Sequence, residues 1–284
     1  MNTEKNKQIW IEKVHENLIL RGRSEATFIN YKSALKRFLD FYSQETKIKN
    51  LKENDIIEYL MHEIINKNKC GSTLNVTVCA IRLCYILNFG IDLNRILLPT
   101  SKLKKKLPII LLKEDFLKLI NDEQNIKHQC WLLLAFCSGL RVDEVSKIKI
   151  EDINSKEHKL KVLGKGNKER YTLLPDITIK ALRKFYKSKK MTKKTGYLFE
   201  GISGKEHMNS KTIINYFSGI KRNYNLDKNI SFHTLRHSFA TYYLLNDGSL
   251  LTLQSMLGHK SINATIIYLH LSLNFNELKG VKYA

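Results

Sequence analysis

Three features of the sequence predict a mainly α-helical, two-domain chain with one small antiparallel sheet, an α+β fold. Apolar residues recur at helical spacing along most of the 284 residues. The period changes to two across 146–174. Between the two patterned halves lies LLPTSKLKKKLP, residues 97–108, whose prolines and lysines suit neither helix nor strand. The expected boundaries are a helical domain over 1–96, a basic linker over 97–108 and a second domain over 109–284. With 43% hydrophobic and 26% charged residues, the chain has ample material for its cores.

The elements follow in order. Trp10, Val14 and Leu18 mark a first helix that breaks at Arg21-Gly22-Arg23. Ser24 then stands as an N-cap ahead of Phe28, Tyr31, Leu35, Phe38, Leu39 and Tyr42. A third helix is predicted over 54–66. A fourth covers 72–87, capped by Ser72 and closed by Gly90. The second domain opens with helices over 113–120 and 127–138. Three strands follow, because Ile148/Ile150, Leu160/Val162 and Tyr171/Leu173 alternate with polar residues, and Gly164-Lys165-Gly166-Asn167 supplies a turn. Helical spacing returns over 176–190, 210–223, 234–246, 249–257 and 261–269, with Gly248 and Gly258 as expected C-terminal caps. Beyond that, Leu269, Leu271, Leu273 and Phe275 alternate as a strand would, whereas Leu271, Phe275 and Leu278 share a helix face. The tail is open between the two.

Charge narrows the partners. Lys plus Arg number 48 against 27 Asp plus Glu, a formal net charge of +21. Such a surplus repels itself unless a polyanion offsets it. It is spread along the chain rather than held in a terminal amphipathic helix or beside a lipidation motif, which favours nucleic acid over a membrane surface. The longest unbroken apolar stretch, Cys130–Cys137, is far short of a membrane span, and the N-terminus has no apolar signal region. The expectation is a cytoplasmic protein without membrane contact. The five cysteines form no C-x-x-C pair and read as reduced thiols, so no structural metal is expected.

Five short segments carry chemistry-bearing residues. Ser138-Gly139-Leu140-Arg141-Val142-Asp143-Glu144 places an arginine just past an apolar helix. Gly164-Lys165-Gly166-Asn167-Lys168-Glu169-Arg170 sets a lysine in a tight turn between strands. His233-Thr234-Leu235-Arg236-His237 puts a histidine and an arginine three apart, hence on one helix face. Leu257-Gly258-His259 ends the next helix with a histidine, and Thr265-Ile266-Ile267-Tyr268-Leu269-His270 follows with a tyrosine. With these motifs in this order, the sequence resembles the tyrosine recombinase (phage integrase) family of site-specific DNA recombinases, in its short two-domain form. The likeness is strong over 109–272 and looser over the helical N-terminal part, where Ser24, Thr27, Tyr31, Leu35 and Phe38 resemble the family's SAM-like core-binding domain.

The resemblance implies Arg141, Lys165, His233, Arg236 and His259 as catalytic basic residues and Tyr268 as nucleophile, with Glu144 supporting them. The chemistry of these residue types agrees. Negative charge grows on the non-bridging oxygens of an attacked phosphodiester, and two guanidiniums offer planar, permanently charged donors to them. A phenol has a free pKa near 10 and needs a base, for which His233 is expected, with His259 as a phosphate donor and His237 as a buttress. Lys165 resembles the family's general acid for the leaving 5′-oxygen. A phosphotyrosine conserves the bond energy for rejoining, so no ATP, metal or other cofactor is implied.

Each motif has a plainer reading when taken alone. Arg141 with Glu144 can be a surface ion pair, 164–170 an ordinary basic hairpin, and Tyr268 core packing. His233 and His237 lack the glutamate and third ligand of a zinc site. The resemblance further implies a homotetramer on two double-stranded DNA sites with short inverted repeats, serving integration or excision of a mobile element. Dimer resolution of a chromosome, DNA inversion, a type IB topoisomerase activity and non-catalytic DNA binding are the alternatives. Lys102, Lys104, Lys105 and Lys106 are placed to meet phosphates along the linker. The basic run 183–194 is either a solvated helix face or a phosphate-tracking surface.

Overall fold

The structure is a computed structural model. It describes residues 2–42, 48–66, 71–93, 107–164, 168–202, 204 and 206–279, and their side chains other than those of 2–3 and 274–279. The chain forms two compact units, Met1–Lys105 and Lys106–Ala284. The linker lysines 102, 104, 105 and 106, and Lys165, lie outside the described residues.

The first unit contains α1 (Asn2–Leu20), α2 (Glu25–Phe41), α3 (Glu53–Ile65) and α4 (Gly71–Phe89), and no strand among its described residues. The break after α1 is a turn in which Gly22 takes φ +61°, and Ser24 occupies the N-cap of α2 as expected. Ser72 does not cap the fourth helix; α4 already includes Gly71, so Ser72 sits in its first turn. The core is built from Val14, Leu35, Phe38, Ile56, Tyr59, Leu60, Val78, Ile81 and Tyr85. By length and composition α4 is apolar enough to cross a membrane. Here it packs on α1 and α2 instead, burying Leu74, Val78, Ile81, Cys84 and Tyr85. The Tyr85 hydroxyl donates to the Ile48 carbonyl at 2.6 Å, which satisfies the one polar atom of that deeply buried ring.

The second unit runs α5 (Lys113–Asp122), α6 (Ile126–Ser138), α7 (Val142–Ser146), β1 (Ile153–Asn154), β2 (Lys159–Leu163), β3 (Glu169–Leu173), α8 (Asp176–Ser188), α9 (Ser210–Asn223), α10 (Phe232–Leu245), α11 (Leu250–Leu257) and α12 (Asn263–Lys279). Helix α6 is its central column. Its Cys130, Trp131, Leu132, Leu133, Leu134 and Ala135 are all buried, and it packs on α8 and α10. The sheet is antiparallel in the order β1-β2-β3.

Three expectations about this unit are corrected. Ile148 and Ile150 do not form the first strand. Lys149 makes only an isolated bridge to Tyr197, a 3₁₀ turn covers Ile150–Asp152, and β1 begins at Ile153. The buried face of β3 is the opposite of the apolar one. Val162 pairs with Arg170 and Leu160 with Thr172, and these four face inward while Tyr171 and Leu173 are exposed. Polar partners explain the inversion: Arg170 meets a buried carboxylate, and the Thr172 hydroxyl donates to the Ser138 carbonyl at 2.7 Å. Finally, Gly248 is not a left-handed cap. Asp247 takes the positive φ of 59°, and Gly248 is required by closeness, since a Cβ there would lie 2.2 Å from the Tyr243 ring. Gly258 caps α11 at φ +64° as expected. The open tail is helix: α12 continues without interruption through Lys279.

Candidate active site

Two glycine caps aim the cationic side chains. Gly139 ends α6 at φ +68°, and a Cβ there would sit 2.4 Å from Cδ1 of Phe239, so both conformation and space demand glycine. The reversal makes Arg141 the N-cap residue of the short α7. Gly258 does the same after α11 and delivers His259. Helix α10 begins behind Ser231, whose backbone N–H donates to the Thr234 hydroxyl at 3.0 Å. Its first turns carry His233, Arg236 and His237 on one face.

Arg236 is the anchor. It is 1% exposed, donates from Nη1 to the Gly139 carbonyl at 2.6 Å and from Nη2 to the Leu257 carbonyl at 2.7 Å, and lies 3.4 Å from His259 Nε2. One guanidinium thus ties both glycine turns to α10. Burial, with the nearby Arg141 charge, lowers its pKa to about 9, still above neutrality.

Glu144 is the counter-charge. It is 8% exposed and receives a bidentate pair from Arg170, Nη1 to Oε1 and Nη2 to Oε2, each at 2.8 Å. It also accepts the Arg141 backbone N–H at 2.7 Å and Arg141 Nη1 at 2.9 Å, with Arg236 Nη1 at 3.7 Å. Burial alone would raise its pKa, but the hydrogen bonds and charge of Arg170, then Arg141 and Arg236, bring it down to about 2. Arg141 remains partly open to solvent.

Tyr268 lies on α12, 3% exposed, in a small apolar cluster with Phe239, Ala240, Leu253, Met256 and Leu257. Its hydroxyl is 2.9 Å from His237 Nδ1, and its ring stacks toward His259 with centroids 6.3 Å apart. Burial raises its pKa, against a lowering by the Arg236 and Arg141 charges. His237 and His259 are each lowered to about 4, first by burial and then by surrounding positive charge. His233 meets solvent, yet the protein behind its ring and the Arg236 and Arg141 charges lower it too. Its ring stands edge-on to His237 with centroids 4.6 Å apart.

The structure therefore gathers Arg141, Glu144, His233, Arg236, His237, His259 and Tyr268 into one connected site within the second unit. One expectation read from the sequence differs from the geometry. The expected partner of Tyr268 was His233, but the hydrogen bond goes to His237. Sequence reading also missed two supporting residues. Arg170 holds Glu144 and donates from Nε to the Met256 carbonyl at 2.7 Å, joining the strand next to the lysine turn to α11. Thr265, fully buried one turn before Tyr268, holds His259 Nδ1 at 2.9 Å through its hydroxyl. Strand pairing carried a signal for the first: a residue opposite the inward Val162 must itself face inward.

The chain is similar to known proteins along most of its length. The model of the phage integrase family matches residues 111–274, and that of the phage integrase N-terminal SAM-like domain matches 10–93. The tyrosine recombinase XerD of Staphylococcus haemolyticus is 32% identical over 272 residues, covering 89% of this chain and 90% of its own. A tyrosine recombinase of Thermosipho africanus is 28% identical over 268 residues, covering 89% and 91%. Among solved structures, a lambda integrase dimer bound to a COC′ core site aligns with a TM-score of 0.73 at 19% identity, over 92% of this chain and 94% of that one. The XerH recombinase in a post-cleavage complex with palindromic difH aligns at 0.72 and 22% identity, over 92% and 81%. At these identities the two structures show likeness of fold.

Proposed function

This chain belongs to the phage integrase family of tyrosine recombinases, and from that premise we propose that it cleaves and rejoins double-stranded DNA through a 3′-phosphotyrosyl intermediate. The observation that carries the reading is the placement of a buried tyrosine hydroxyl beside two guanidiniums and a ring of histidines. Arg141 and Arg236 hold the non-bridging oxygens of the scissile phosphate and gain strength as charge develops on them. His259, oriented by Thr265, and His233 border the same phosphate. Glu144 offsets the mutual repulsion of the arginines and fixes the α7 turn. Tyr268 attacks phosphorus, and Lys165 protonates the departing 5′-oxygen.

Strand exchange then runs through a four-way junction within a homotetramer on two DNA sites bearing short inverted repeats. The helical unit also contacts the DNA. In it, a groove of about 410 Å³ is lined by Arg21, Arg23, Thr27, Tyr31 and Arg82, a cationic surface suited to phosphates. Integration and excision of a mobile element is the biological role proposed. A second reading, a Xer-type recombinase acting at a fixed chromosomal site, is favoured by the 32% identity to a protein named XerD across 89% of the chain.

The test is a nicked suicide duplex, from which the cleaved strand cannot be rejoined. The wild-type chain should form a covalent adduct on it, and Tyr268→Phe should bind the same DNA without forming one. An adduct with the Phe variant would remove Tyr268 from the mechanism.

A further inference from the structure

We propose that His237 is a catalytic residue: its Nδ1 takes the proton of the Tyr268 hydroxyl as the oxygen attacks phosphorus. The inference rests on the reading of Tyr268 as nucleophile and identifies the base for it. A general base must lie within hydrogen-bond reach of the proton it removes. His237 Nδ1 lies 2.9 Å from Tyr268 Oη, whereas His233 touches His237 edge-on, one ring further away. The phenol carries a single proton, and Nδ1 is the acceptor found for it among the described residues. The proposed role requires the tautomer with its proton on Nε2, which leaves the Nδ1 lone pair toward the hydroxyl.

In the step itself, the Oη–P bond forms, the P–O5′ bond breaks, and the phenolic proton moves to Nδ1. The leaving O5′ takes a proton from Lys165, and both protons return when the 5′-hydroxyl attacks the phosphotyrosine. The surroundings of His237 explain why this transfer waits for substrate. His233 and Arg236 on its own helix, and His259 beyond α11, all disfavour a positive imidazole, and burial adds to them. A bound phosphodiester brings a negative charge into that cationic pocket and offsets it, so the base becomes competent when DNA arrives.

The experiment compares His237→Asn, which keeps an acceptor near the Nδ1 position but cannot take a proton at neutral pH, with His233→Asn. The probe is a nicked suicide duplex carrying a site selected from random DNA by binding to the wild-type chain. H237N should bind that duplex like wild type and form adduct about 10²–10⁴-fold more slowly in a single turnover. Its rate should climb about tenfold per pH unit through the alkaline range, where unassisted ionisation of the phenol supplies the nucleophile; H233N, whatever its rate, should not show that slope. A bridging 5′-phosphorothiolate, whose sulfur leaves without a proton, should rescue Lys165→Ala but not H237N. If H237N fails to fold, His237→Gln is read by the same criteria. Wild-type rate and pH profile in the His237 variant, or the alkaline slope appearing in H233N instead, overturns the assignment. Adduct formation by Tyr268→Phe is a separate result and overturns the nucleophile.

Discussion

Single side chains in this site do work that sequence order conceals. Glu144 was legible as an acid three residues after Arg141, but its principal partner, Arg170, was not. Arg170 reads as one more cation in a basic hairpin, because the apolar Tyr171 and Leu173 suggest the wrong face of β3. Only the third dimension shows that a buried bidentate pair turns two apolar residues out to solvent. Removing the Glu144 charge leaves Arg170 and Arg236 buried without it. Glu144→Gln should therefore destabilise the chain by about 3–5 kcal/mol, measured by urea unfolding at neutral pH. The sign of the pH dependence follows from the depressed pKa. Glu144 binds its proton at about 2 in the folded chain against an ordinary 4.5, so its stabilisation is complete above 4.5 and is lost as pH falls toward 2. Wild-type stability should drop across that window, and the Gln variant should show a shallower decline. Equal slopes would mean that the carboxylate is not held as the geometry indicates.

At the level of elements, turn chemistry was readable where a glycine opens a positive φ and unreadable where packing decides. Gly258 was recognisable as a cap. Gly248 was mistaken for one because its need is proximity to Tyr243, which no local pattern encodes. Gly139 combines both demands, and its carbonyl receives Arg236. Gly139→Ala should cost about 1–3 kcal/mol from the left-handed backbone alone. It should also lower adduct formation by displacing Arg236, whereas Gly22→Ala, whose Cβ would meet open space, should lower stability without touching cleavage. The tail was ambiguous because its apolar residues satisfy two periods at once. As the continuation of α12, it packs Leu271 against the cluster around Tyr268. Deleting 274–284 spares that contact, so the expected outcome is unchanged melting and single-site binding, with poorer assembly of higher complexes in gel shifts. A large fall in melting temperature would instead make the tail part of its own unit's core.

For the whole molecule, charge and pattern were enough to anticipate a DNA-handling, two-part helical protein, while the wiring of the site was not. The reason is physical: helical and strand periods are local, whereas the contacts that hold Arg236 link Gly139 to Leu257 across most of the second unit. The net charge of +21 carries its own expectation. If some 6–10 phosphates are neutralised, affinity for a duplex should fall by about 10³–10⁵ between 50 and 200 mM salt. A flat response in fluorescence anisotropy would argue that few phosphates are engaged.

The order in which this site is synthesised has a consequence for the cell. Arg141 emerges from the ribosome long before Tyr268, and Tyr268 finds its pocket only when α12 closes over Phe239 and Leu253. On the proposed function, a nascent chain short of α12 would hold Arg141 and Arg236 but lack both the Tyr268 hydroxyl and the Thr265 hydroxyl that holds His259. On that reading, chains stalled or cut short of α12 are expected to form no covalent adduct with DNA, which a suicide duplex would report.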